Sequence, residues 1–381
     1  MFFVVRNDSS LIAFRWQGRN VGISMVGAHT DSPGLRLKPS PLQREQNYLQ
    51  LGVEIYGNAL LHPWFDRELS LAGRVSWYEE DGYSYSALLD FKRPMGIIPS
   101  LAIHLDRDAN GQQTVNAQTD MVPLAGLFDG DNGDFQLILH DQLRRQYPEA
   151  APAWFIDHEI FLYDAVPPAL TGMSGEFITG ARLDNLVSCF AAAHALLKAD
   201  SDKNCLIVLN DHEEVGSVSA AGAQGPFLYD ILERLLPDGE TRQAVLRKSF
   251  LISADNAHAL HPNYIAKHDP QHLPLMGKGL VIKFNADQRY ATNAPAATRF
   301  RQFCAHAGVP VQEFVSRNDL VCGSTLGPVT AAKIGIDTVD VGVPSLAMHS
   351  IRETVACADC WHLYTALRTF FHGQQIIKQQ K

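Results

Sequence analysis

No apolar run in this 381-residue chain reaches the roughly 18 residues that would read as a membrane span. Basic clusters are missing too. The 32 Lys and Arg stand against 41 Asp and Glu, for a net charge of -9, and no stretch interleaves bases with aromatics. That pattern argues against a nucleic-acid partner. The 6 cysteines, Cys189, Cys205, Cys304, Cys322, Cys357 and Cys360, are scattered, unlike a secreted disulfide framework. Cys357-Ala358-Asp359-Cys360 has the spacing of half a zinc site and is read as small residues opening the last helix. Met1 to Val5 is too short for a signal core, because Arg6-Asn7-Asp8 interrupts it. These absences predict a cytoplasmic protein with neither a membrane nor a nucleic-acid partner.

What is present is a large stock of core residues. The chain is 46% hydrophobic and 19% charged, enough for two domains or one with an insertion. Val4–Arg6 and Leu11–Phe14 flank Asn7-Asp8-Ser9-Ser10 as a hairpin, and Val21–Val26 is a strand candidate. From about Pro39 the pattern alternates in the β manner: 48–56, 73–78 and 83–91, with Asp81-Gly82 as a turn. Phe135–His140 and Glu159–Tyr163 are also read as strand-like, and Pro167-Pro168 and Gly172 close the region. Residues 39–172 are therefore expected to form a β-rich insertion. Residues 1–38 and 173–381 are expected to form the main domain. There, helices are predicted near 183–197, 226–237, 296–307 and 354–371, and strands at 205–209, 250–254, 280–284 and 338–343. Such alternation predicts an α/β fold, a mixed sheet flanked by helices.

In sheets of that kind, function gathers outside the carboxyl ends of strands. Apolar strands here run into His29, into Glu213-Glu214, into Asp255 and into the loop of His349, while Asp184 opens a helix. Adjacent carboxylates raise one another's pKa unless a cation neutralises them. Glu213-Glu214 alone fits an exposed, solvated turn better than a metal site. The company of other ligand-type residues at strand ends favours a metal. Nitrogen and oxygen donors of this mix suit zinc, with manganese or cobalt as alternatives. This many donors would suit a pair of ions, and one glutamate would be left over as general base toward a water. His212-Glu213-Glu214-Val215-Gly216 lacks the second histidine of HExxH, and no GxSxG or GxxxxGK[ST] occurs.

The chain also resembles the M18 family of zinc aminopeptidases, the aspartyl aminopeptidase-like enzymes in their bacterial form. The matching stretches are Gly27–Pro33, Arg182–Leu186, Asp211–Ser217, Ser253–His258 with His261–Tyr264, and Ala347–Glu353, in family order. The resemblance implies a zinc-peptidase fold of the phosphorylase-like type with an inserted dimerisation domain. It implies that His29 and Asp255 hold one zinc, that Glu214 and His349 hold the other, and that Asp184 bridges them. Glu213 would be the base, and Asp31 would orient the His29 ring. His104, in Ile103-His104-Leu105, matches a histidine that the family sends into a neighbouring subunit's site. Lys283 and His258 would meet an acidic substrate side chain. Peptides with a free N-terminus would be the substrates, and dimers would build a dodecamer. Family members carry several tens of residues before the first hairpin, so an inactive metal-binding assembly subunit stands as one alternative. An N-acyl amino-acid deacylase is the other.

Overall fold

A computed structural model of the chain describes residues 1–18, 21–128, 134–152, 155–199 and 202–372. The chain divides into two compact units. One comprises Met1–Ser32, Ala169–Met348 and the chain from Glu353 onward; the other comprises Pro33–Pro168 and His349–Arg352.

The first unit is built on an eight-stranded sheet. The hairpin Phe2–Arg6 and Ser10–Arg15 forms one edge. Asn204–Asn210, Ile23–His29, Phe250–Ala254, Thr338–Gly342, Leu280–Phe284 and Val311–Val315 follow in spatial order. The strands from 204–210 through 338–342 run parallel. Asn204–Asn210, Phe250–Ala254 and Thr338–Gly342 are buried at every position. That is what a parallel sheet covered on both faces requires. Ile207 and Leu209 point into a core with Ala191, Ala195, Leu367 and Phe370, from the helices Leu183–Leu197 and Cys357–His372. Leu206 and Val208 point the other way, into a core with Phe227, Ile231 and Leu232 of the helix Phe227–Leu235. Phe250, Phe303 and Phe370 form a ring cluster with centroids 5.1–6.4 Å apart. Each such pair is worth about 0.5–1.5 kcal/mol beyond its buried area.

A smaller sheet joins Ala169–Thr171, Phe177–Gly180, Glu353–Ala356, Pro344–Leu346 and Ala257–His258. Because 353–356 pairs with 177–180, the last helix starts at Cys357 rather than at Thr354.

The second unit holds a six-stranded antiparallel sheet. Its order is Ser84–Asp90, Leu69–Tyr78, Asp157–Asp164, Gly34–Glu45, Tyr48–Tyr56, Leu124–Leu127. Alternate residues Leu35, Leu37, Leu51, Val53, Leu69, Leu71, Ile160 and Leu162 make its core. Phe135–Gln146 is a helix, not the strand expected over Phe135–His140. The reason is visible in the spacing: Phe135, Leu139 and Leu143 are buried four apart, and Asp134 caps the first turn by accepting from the Gln136 N–H. The segment His349–Arg352 belongs to this unit through several contacts. Ile351 lies in its core, Leu60 N–H donates to the His349 carbonyl at 2.9 Å, and Arg352 reaches Asp164 at 3.0 Å.

Candidate metal centre

The strand Asn204–Asn210 ends in a one-turn 3-10 helix, Glu213–Val215. Left-handed residues bracket it: His212 at φ 64° and Gly216 at φ 95°. A glycine serves the second position because it carries no Cβ penalty there. The turn is tied to the neighbouring strand end by Asp31. Its Oδ1 accepts from the Glu213 N–H at 3.1 Å, and its Oδ2 accepts from the Glu214 N–H at 3.0 Å. Both glutamates therefore leave the same short turn, fixed by their backbones.

His29 closes the strand Ile23–His29 and is 1% exposed. Its Nδ1 lies 3.0 Å from the Asp31 carbonyl. A carbonyl only accepts, so Nδ1 carries the proton and Nε2 is the atom left for a cation. Nε2 lies 3.5 Å from Asp184 Oδ1 and 3.5 Å from Asp255 Oδ1. The Asp31 carboxylate stands 3.4 Å from Nδ1, so its firmer bonds go to the glutamate turn and its carbonyl orients the ring.

Asp184 enters from the start of the helix Leu183–Leu197, where its own φ of -84° and ψ of 104° are not helical. The Ser32 hydroxyl donates to its carbonyl at 2.7 Å, and the Asp184 N–H donates to Glu353 Oε2 at 2.7 Å. Asp255 follows the strand Phe250–Ala254. Gly342 lets the adjacent strand pass close to it, because a Cβ there would lie 1.9 Å from the Asp255 carbonyl oxygen. Lys283, 2% exposed, reaches Asp255 Oδ2 at 3.3 Å and the Asn256 carbonyl at 3.0 Å.

The electrostatics follow from this crowding. Burial, then the charges of Asp255, Asp31 and Asp184, push Glu213 up to about 8 against the pull of His29. Burial and Asp184 push Glu214 up to about 10. Burial also acts to raise Asp255, but Lys283 and His29 hold it well below the usual carboxylate range. Burial opposes charge on His29, and bonds to Asp184, Asp255 and Asp31 outweigh it and raise the imidazole well above its ordinary value. The centre stores more negative charge than its surroundings neutralise, which is the condition a divalent cation relieves. His29, Asp184 and Asp255 bring one ligand atom each to within 4.8 Å of one another, and so do His29, Glu213 and Glu214.

The family described as Aminopeptidase I zinc metalloprotease (M18) matches residues 1–371. The chain is an M18 zinc aminopeptidase. It is 52% identical over 380 residues to the "Probable M18 family aminopeptidase 2" of Pseudomonas fluorescens, covering 98% of this chain and 88% of that one. The Stutzerimonas stutzeri protein of the same name is 51% identical over 379 residues, with the same coverage. Among solved structures, a chain of the Ape4 and Nbr1 complex matches with a TM-score of 0.92 and 41% identity, over 97% of this chain and 76% of that one. The M18 aminopeptidase of Thermotoga maritima matches with a TM-score of 0.83 and 26% identity, over 97% and 85%.

The donor set of this M18 aminopeptidase fits zinc: one imidazole whose Nε2 faces carboxylates, in a largely buried cluster. His349 lies in the second unit, with Nδ1 3.0 Å from the Asn58 carbonyl. His104 is exposed in a turn of that unit. His258 is exposed at the end of the small sheet, its ring 5.6 Å from that of Phe314. Lys283 is inside the centre, bound to Asp255 rather than turned to solvent. Among the buried carboxylates given no role by the sequence are Glu353 and Asp340. Glu353 closes the matching stretch Ala347–Glu353, but nothing in its spacing gave it a role. Asp340 gave a signal, as a lone carboxylate inside the apolar run Thr338–Val343.

Proposed function

We propose that this M18 aminopeptidase uses two zinc ions to release single N-terminal residues from peptides, with Asp or Glu preferred. His29 and Asp255 would hold one ion, Glu214 and His349 would hold the other, and Asp184 would serve both. What carries the reading is the convergence of His29, Asp184, Asp255 and the Glu213-Glu214 turn from separate stretches of chain. When bound, zinc supplies positive charge that polarises a carbonyl and acidifies water. Glu213 takes the proton from the attacking water and returns it to the leaving amine. Burial favours its protonated form and a nearby cation favours its carboxylate, which places it between the two states the cycle needs. Lys283 and His258 meet the acidic side chain of the substrate.

Self-association belongs to the same reading, as do action in the cytoplasm and a role for His104 in a neighbouring subunit's site. The mApe1 dodecamer of S. cerevesiae, a relative with a TM-score of 0.81 and 26% identity, supports the assembly. His104→Ala should lower kcat by roughly two to three decades, the usual cost of a lost oxyanion donor. Mixed oligomers with Glu213→Gln protein should then recover activity, and no recovery would remove the trans role.

The deciding experiment is zinc-dependent turnover by purified protein on a panel of Asp-, Glu-, Leu- and Ala-aminoacyl substrates and their N-acylated forms. Release from free-amine substrates only is expected. Preference for acylated substrates would make the protein a deacylase. No turnover with bound zinc would make it an assembly subunit.

A further inference from the structure

We propose that Glu353 is a positioning residue for the metal centre: it fixes the backbone of Asp184 and so the direction of that carboxylate. The inference rests on Asp184 being a zinc ligand, as proposed above. The observation behind it is a bond of 2.7 Å from the Asp184 N–H to Glu353 Oε2, with the two residues 3% and 2% exposed.

Asp184 stands where the helix Leu183–Leu197 has not yet taken helical dihedrals, so no regular backbone pattern fixes its plane. Side chains fix it instead. Ser32 holds the carbonyl at 2.7 Å and Glu353 holds the N–H. One residue on, Asn185 Nδ2 donates to the Ala254 carbonyl at 2.8 Å, at the end of the strand that leads into Asp255. The peptide carrying Asp184 is thus tied to the segments that carry the other donors. Of these ties, the one from Glu353 comes from a side chain on a separate strand. Burying a carboxylate is costly, and beside other carboxylates it is more so. Its bond to a residue that converges with His29 and Asp255 gives that cost a function.

The position of Glu353 makes the tie rigid. Its strand, Glu353–Ala356, pairs antiparallel with Phe177–Gly180, opposite Gly180 and just ahead of the turn that delivers Asp184. The strand on its other side is Pro344–Leu346.

The test is zinc affinity, measured by competition with a chromophoric chelator at fixed pH, without any assay of turnover. Glu353→Ala should weaken zinc binding by about 10- to 100-fold, the usual consequence of removing a group that orients a ligand. Glu353→Gln keeps the reach and an acceptor oxygen and should bind zinc nearly as wild type does. Glu353→Asp keeps the charge but shortens the reach, and should weaken binding as Ala does. If Glu353→Ala fails to fold, the Gln and Asp variants decide: Asp tighter than Gln overturns the inference. Asp184→Ala separates the two readings. Wild-type affinity in that variant overturns the ligand role of Asp184 and the inference with it. Lost affinity there with wild-type affinity in folded Glu353→Ala overturns the inference alone.

Discussion

Asp31 holds Glu213 by the backbone: the Glu213 N–H donates to Asp31 Oδ1 at 3.1 Å, leaving the glutamate side chain free of that tie. The same carboxylate takes the Glu214 N–H. Asp31→Ala should therefore loosen the turn, while the backbone carbonyl that orients the His29 ring stays in place. Zinc affinity is expected to fall about 10- to 100-fold, as for other groups that support ligands. Calorimetric titration of the metal-free variant would measure it, and unchanged affinity would confine Asp31 to a structural role.

The adjacent glutamates should separate by function. Glu213→Gln should lower kcat roughly a hundred- to ten-thousand-fold, the range for a lost general base, and keep its zinc. Glu214→Gln should lose zinc as well. Metal analysis beside turnover distinguishes them, and near-normal kcat in Glu213→Gln would reverse the assignment.

Zinc binding should release protons. At pH 7 a Glu214 carboxyl pushed up to about 10, and a His29 imidazole raised well above its ordinary value, both carry protons. A cation needs their lone pairs, so protons leave as it enters, and affinity rises with pH. Titrations in buffers of different ionisation enthalpy would count the protons. None released at pH 7 contradicts the electrostatics described here.

Lys283→Met should depress kcat/KM for Asp substrates far more than for Leu substrates, because the acidic side chain loses its cationic partner and an apolar one never had it. The variant also leaves Asp255 without its partner at 3.3 Å. Removing one member of a buried pair costs about 3–5 kcal/mol, so urea unfolding should be run alongside. Wild-type cleavage of Leu or Ala substrates as good as that of Asp ones would end the acidic preference.

Asp340→Ala should cost about 1–3 kcal/mol of stability, the penalty for donors left without an acceptor. Its carboxylate takes the Ala291 N–H at 2.6 Å and the Thr325 hydroxyl at 2.6 Å, with no exposure. Burial raises its pKa, so the folded state holds this proton more tightly than the unfolded one. The stability it contributes is full at low pH and is lost as pH rises through the folded value. Urea midpoints of the wild type and Asp340→Ala at several pH values would measure both effects.

The metal centre was largely legible in the sequence, because its residues sit just past apolar strands and beside one another in short polar turns. His29, Glu213, Glu214 and Asp255 could be located that way, and the order of strands bears out their side-by-side placement. Elements whose apolar pattern is weak were not. Val311–Val315 carries Gln312 and Glu313, and Leu326–Ile334 has Gly327 and Pro328 in its first turn. Phe135–His140 was misread because a short apolar run fits either period, and only its continuation to Leu143 reveals the helix. Glu353 falls in the matching stretch Ala347–Glu353, but its bond to Asp184, a residue distant in the chain, could not be read from the sequence.

The proposed ligands His29, Glu214 and Asp255 end or follow parallel strands that lie side by side, and that fixes when the centre can exist. During synthesis the first imidazole emerges long before the last carboxylate. Parallel pairing of distant strands comes late in folding, because chain entropy must be lost before those contacts form. On the proposed ligand set the nascent polypeptide would hold no competent zinc trap. Metal would then be loaded onto a finished sheet, so zinc scarcity should leave folded, reloadable protein rather than misfolded chain.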